Sequence, residues 1–203
     1  MRRIYNVALA LTFFVSISAQ AAHSRTEFHD AMRKLWDDHV TWTRLYIVEA
    51  AAGAPGAQLT AQRLLDNQRD IGNAVADFYG RANADKLTAL LRDHILTAAD
   101  LVTAAKAGDQ AKVAAAKTKW YANANDIAVF LNGANPKWWA LPALQSAMKT
   151  HLDQTLDEAT HQLQGRYADS IKDYEGIVNH ILMMADLLTN GIVAQFPAQF
   201  DRP

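Results

Sequence analysis

Three histidines carry the chemistry this sequence can be asked about. His39, His94 and His151 each stand 14 residues before a glycine, at Gly53, Gly108 and Gly165. Each glycine is followed by a second segment with a polar group in its middle: Asp70-Ile71, Asp126-Ile127 and His180-Ile181. Imidazole and carboxylate without sulfur form the donor set of zinc, iron, manganese or copper(II) sites, and helical bundles build such sites from inward-facing side chains of neighbouring helices. The expected metal ligands are His39, Asp70, His94, Asp126 and His151, with Glu175, rather than Asp186, as the last carboxylate. Asn67 and Asn123, each three residues before its aspartate, are expected to orient those ligands from behind. Arg44 is expected to neutralise one carboxylate, because an unpaired buried carboxylate is strongly unfavourable. The same residues also fit two other functions. One is a metal-free hydrogen-bonded layer that fixes helix register in a structural or interaction protein. The other is an oxidase-type metal enzyme, which needs an open coordination position.

The elements that would position these groups are helices. Ser24-Arg-Thr-Glu27 has the form of a capping box. Phe28, Met32, Leu35, His39, Trp42 and Tyr46 then recur at steps of three and four, one face of a helix ending near Gly53. A second helix is expected from Thr60 to Gly80 and a third from Asn83 to Gly108. A fourth should run from its cap at Asp109 to Gly133, a fifth from Pro142 to Gly165, and a sixth from there to Gly191. No strand-like alternation of useful length appears. Six helices of about 20–28 residues with short connections give an all-α, up-and-down antiparallel bundle of three pseudo-repeated hairpins. Counting residues from each turn puts most of the polar groups within about one helical turn of a common level. The Asn135–Pro142 connection carries Trp138 and Trp139, expected to plug the end of the bundle.

Composition narrows the function classes. The net charge of −1 provides no basic field for nucleic acid or anionic lipid. There is no cysteine, which excludes disulfides, thiolate metal sites and thiol nucleophiles. Met1-Arg2-Arg3, the apolar run Val7–Ile17 and Ala19-Gln20-Ala21 read as a signal peptide over residues 1–21, with one domain over 22–203 and a periplasmic or secreted destination. No membrane span is expected after cleavage, since the apolar stretch 181–196 contains Asp186, Asn190 and Gly191. Glu158-Ala-Thr-His161 offers one Glu-x-x-His where di-iron bundles need two, and Met183-Met184 reads as core packing. Phosphate-binding loops, dinucleotide fingerprints, nucleophile elbows and H-E-x-x-H are all missing.

His39-Val-Thr-Trp-Thr-Arg44, Trp120-Tyr-Ala-Asn-Ala-Asn-Asp-Ile127 and Met183-Met-Ala-Asp186 resemble a family of exported bacterial helical proteins, across nearly all of the mature chain. Members of that family often carry the labels "glycosyltransferase" or "acetylglutamate kinase", although no activity is established for it. Both labelled activities would require an α/β scaffold. The resemblance implies that His39, Arg44, Asn67, Asp70, His94, Asn123, Asp126 and His151 match the family pattern. It favours Glu175 over His180 on the last helix.

Overall fold

The computed structural model describes residues 22–200. The expected signal segment, residues 1–21, lies outside the described residues, as do 201–203. The described chain is all-helical. The first helix, α1, spans Arg25–Ala52; Ser24 Oγ accepts the Glu27 backbone N–H at 3.3 Å, and Gly53 ends it at φ 71°. The expected second helix is broken into α2 (Ala57–Ala74) and α3 (Ala76–Tyr79). The break at Val75 turns Phe78 into an aromatic cluster with Phe28, Phe196 and Phe200, at ring separations of 5.0, 5.7 and 5.3 Å. Then follow α4 (Arg81–Lys106), α5 (Gln110–Ala134) with Asp109 as its cap, α6 (Leu141–Leu163) with Pro142 in its first turn, and α7 (Tyr167–Gln195). A 3-10 turn at Pro197–Gln199 leads to Phe200, which bridges back to His23 and brings the two described ends together.

The hairpins α1–α2, α4–α5 and α6–α7 are closely packed pairs, and α2–α4, α5–α6 and α7–α1 contacts close them into a ring. The histidine-bearing helices α1, α4 and α6 also touch one another pairwise, across the interior. Glycines 53, 108 and 165 turn the chain after each of these helices with φ 71°, 72° and 74°, a left-handed backbone that side chains with a Cβ resist.

The main apolar core runs through all seven helices. A second, small cluster joins Ile47, Val102 and Ala159, each eight residues beyond its histidine. The histidines therefore sit between two apolar regions. Of the two tryptophans expected to plug the end, Trp139 is buried and Trp138 is 45% exposed. Trp139 lies so close to α7 that a Cβ at Gly191 would fall 2.0 Å from its Nε1, so that helix passes under the indole only because residue 191 is glycine.

By length and composition, α7 alone among the described helices could cross a membrane. Its apolar residues Ile177, Ile181, Met184, Ala185, Leu188 and Ile192 are buried against the rest of the bundle.

Candidate functional site

His39, His94 and His151 are 3%, 3% and 4% exposed and meet at one depth. The His39 and His151 rings are 5.7 Å apart between centroids, and those of His94 and His151 are 6.3 Å apart and nearly parallel. Trp36 packs edge-on against His39, and Trp120 lies 5.4 Å from His94. The three imidazoles, together with Met32, Met148 and Met184, line a cavity of about 40 Å³ whose remaining walls are apolar.

The helix that follows supplies polar partners to His39 and His94, and at His94 the distances decide which ring nitrogen holds the proton. On α5, Asn123 Nδ2 donates to the Leu90 carbonyl at 3.0 Å. Its amide orientation is thereby fixed, so Asn123 Oδ1 accepts the His94 Nδ1 proton at 2.9 Å. His94 Nε2 is left as a lone pair. On α2 two residues divide that work. Asn67 Nδ2 donates to the Leu35 carbonyl at 3.0 Å, while Gln68 Nε2 lies 3.2 Å from His39 Nδ1. Gln68 Nε2 also faces the Leu64 carbonyl and Asn67 Oδ1, at 2.8 and 3.1 Å. The two protons of Gln68 Nε2 are thus shared among three acceptors, of which the two oxygens are the nearer. On α7, His180 Nε2 donates to the Ala147 carbonyl at 2.9 Å. His151 Nδ1 is buried without a partner.

The carbonyls at Leu35, Leu90 and Ala147 each lie four residues before their histidine. An amide carries donor and acceptor on one carbon, so Asn123 can hold a carbonyl and a ring together. The two nitrogens of His180 lie on opposite sides of its ring, so it holds the carbonyl only.

Burial makes all three imidazoles neutral. It lowers the pKa of His39 to about 3, helped by His94. It lowers that of His94 to about 4, against a small opposing effect of Asn123. His151 is pushed well below the usual histidine value, first by burial and then by His39, His94 and His180.

The expected carboxylates do not join this layer. Asp70 is half exposed and pairs with Arg63 at 3.5 Å, while Asp126 and Glu175 are exposed. The reason is helical rotation. Asp70 and Asp126 each precede a buried isoleucine, Ile71 or Ile127, by one residue and so lie about 100° away from it; Glu175 lies two residues from buried Ile177. Asp186, the runner-up, is tied at the surface by Arg33 and His29 at 2.6 and 3.0 Å. Among the described residues, no three His, Asp or Glu side chains stand close enough together to hold a metal ion as they are.

Arg44 does neutralise a carboxylate, but it is Glu158 on α6, at 2.8 Å. The guanidinium also bonds the Ser170 hydroxyl and carbonyl and lies over the Tyr174 ring. Glu158 is 1% exposed, and burial pushes its pKa up to about 7 although Arg44 pulls it down; Asp173 adds to the rise. His161, the other member of the Glu-x-x-His motif, is partly buried and bonds Asp173 at 2.6 Å.

Spacing alone could have flagged Gln68, which is absent from the expected set. It lies 29 residues after His39, the same separation as His94–Asn123. Nothing comparable marked Glu158, whose Glu-x-x-His context points to a different chemistry from the ion pair it makes. Comparison of the chain with protein-family models, curated proteins and solved structures finds no match.

Proposed function

We propose that this is an exported metal-binding protein, a carrier, buffer or sensor, in which His39, His94 and His151 take up one transition-metal ion. The observation that carries this reading is the meeting of three neutral imidazoles around a cavity of about 40 Å³. Neutral imidazole is the ligating form, so these rings need not first lose a charge-bearing proton. A cavity of that size suits an ion or a water or two, and is far below the ~300 Å³ at which pockets for organic ligands begin. His94 is already arranged as a ligand, with Nδ1–H held by Asn123 and a lone pair on Nε2. His39 would need its proton on Nδ1. A turn of the Gln68 amide would bring its unpartnered Oε1 to the ring, at the cost of the bonds from Nε2 to the Leu64 carbonyl and Asn67 Oδ1. Ligation would also draw the rings inward, to nitrogen–metal distances of about 2.0–2.1 Å.

The same proposal includes descent of the three hairpins from one unit. It is supported by the shared 14-residue spacing to glycine, the carbonyl four residues before each histidine, and the apolar residue eight beyond. Export and membership of the family that the sequence resembles belong to this reading as well.

The test is metal analysis of protein purified from the exported fraction without added salts, followed by melting with chelator and with Zn²⁺, Cu²⁺, Fe²⁺ and Mn²⁺. About one ion per chain is expected, with a melting point that falls on chelation and a loss of both effects in His94→Leu. Metal-free protein whose melting ignores chelator and every added ion would end the proposal.

A second reading is favoured by the amide bonds to Leu35 and Leu90, which tie neighbouring helices together without any metal. In it the layer only fixes register. His94→Leu then leaves stability equal or higher, as when a buried polar group gives way to an apolar one.

A further inference from the structure

Resting on the metal-binding reading above, we propose that the ion is a soft monovalent one, copper(I), held by imidazole and thioether together. Four methionines fall among the described residues: Met32, Met148, Met183 and Met184. Three of them line the cavity that the three histidines line, and all three are buried. Met148 lies one helical turn before His151 on the same face of α6, and Met184 comes from α7, packed against it. Met183 points away and is 62% exposed.

Charge points the same way as softness. No carboxylate lines the cavity, and every potential donor in its wall is neutral. An ion there brings its whole charge into an apolar surrounding, and the cost of burying a charge rises with its square. A divalent ion therefore pays about four times the desolvation of a monovalent one of similar size. Thioether and imidazole together favour copper(I) over the harder divalent ions, which prefer the carboxylates that here face solvent.

The experiment is an anaerobic titration of the full exported chain with copper(I) against a chromophoric copper(I) chelator, with silver(I) as a redox-inert stand-in and Zn²⁺ in parallel. The expected result is one copper(I) per chain, bound more tightly than Zn²⁺, with sulfur as well as nitrogen scattering around the metal in X-ray absorption. Met148→Leu should weaken copper(I) binding about tenfold, and leucine at 32, 148 and 184 together about a hundredfold or more. These swaps conserve volume, so the fold should survive. Met183→Leu should change nothing. A triple variant that keeps its copper(I) affinity, or a preference for Zn²⁺, would overturn the copper(I) assignment and leave the metal reading standing. Failure to bind any of these ions, together with melting that ignores Cu²⁺, Fe²⁺ and Mn²⁺, would overturn both.

Discussion

Two buried polar regions lie along the bundle, and they handle charge in opposite ways. In the histidine layer, three ionisable rings share an apolar wall and no carboxylate, so burial strips their protons and leaves them neutral. Toward the Gly165 end, Glu158 is buried as deeply, but Arg44 lies across it with Ser170 and Tyr174 around the guanidinium. There burial raises the carboxylate's pKa to about 7 against the pull of Arg44. A buried group keeps its charge only where a partner of opposite sign has been placed beside it; otherwise it changes protonation state.

The sharpest way to break this contrast is to remove the cation. Arg44→Met should lower stability by about 3–5 kcal/mol at pH 8, where Glu158, no longer held down by the guanidinium, must take up a proton to stay buried. The loss should shrink at pH 5.5, where Glu158 can take a proton. Urea denaturation at the two pH values measures both, and an equal loss at each would show that the pairing is not the cause.

The pH dependence of the native protein is the next largest effect. The histidines have folded pKa values below the usual 6.5, so the unfolded chain binds their protons first as pH falls. Their contribution is complete above about pH 6.5 and declines from there toward pH 4. Glu158 has the opposite sign: its folded pKa, about 7, is above the ordinary carboxylate value, so it favours the fold increasingly as pH falls from 7 to 4.5. Three protons against one leave a net slope of at most ~3 kcal/mol per pH unit between pH 6.5 and 4.5, with stability lost on acidification. Thermal melts across that range check it, and a flat profile would contradict the burial of the rings.

The smallest effects sharpen the comparison inside the layer. Asn123→Leu removes the acceptor for the His94 ring proton and should cost about 1–3 kcal/mol in metal-free protein. His151→Leu removes a ring whose Nδ1 has no partner, so its cost should be under about 1 kcal/mol, or even a gain. Paired denaturation curves would separate the two, and equal losses would mean that His151 has a partner in solution.

Much of this was legible in the chain. The Ser24 and Asp109 caps, the stops at Gly53, Gly80, Gly108 and Gly165 and the common level of His39, His94 and His151 follow from local chemistry and counting, whereas α5 and α7 run past the expected stops at Gly133 and Gly191. The failures share a cause. Asp70 and Asp126 stand beside the apolar stripe in sequence, and a flank residue can turn inward or outward with little change in the pattern. Val75 gave no breaker signal, because the break there serves Phe78 and aromatic partners as distant as Phe200.

The sequence by itself determined how far along each helix a group sits, since every residue adds about 1.5 Å of rise whatever surrounds it. Rotation about the helix axis was decided only by the tertiary structure, because it depends on all neighbours packing at once. That is why three imidazoles counted to one level do meet, through contacts among α1, α4 and α6, while the carboxylates counted to the same level face water.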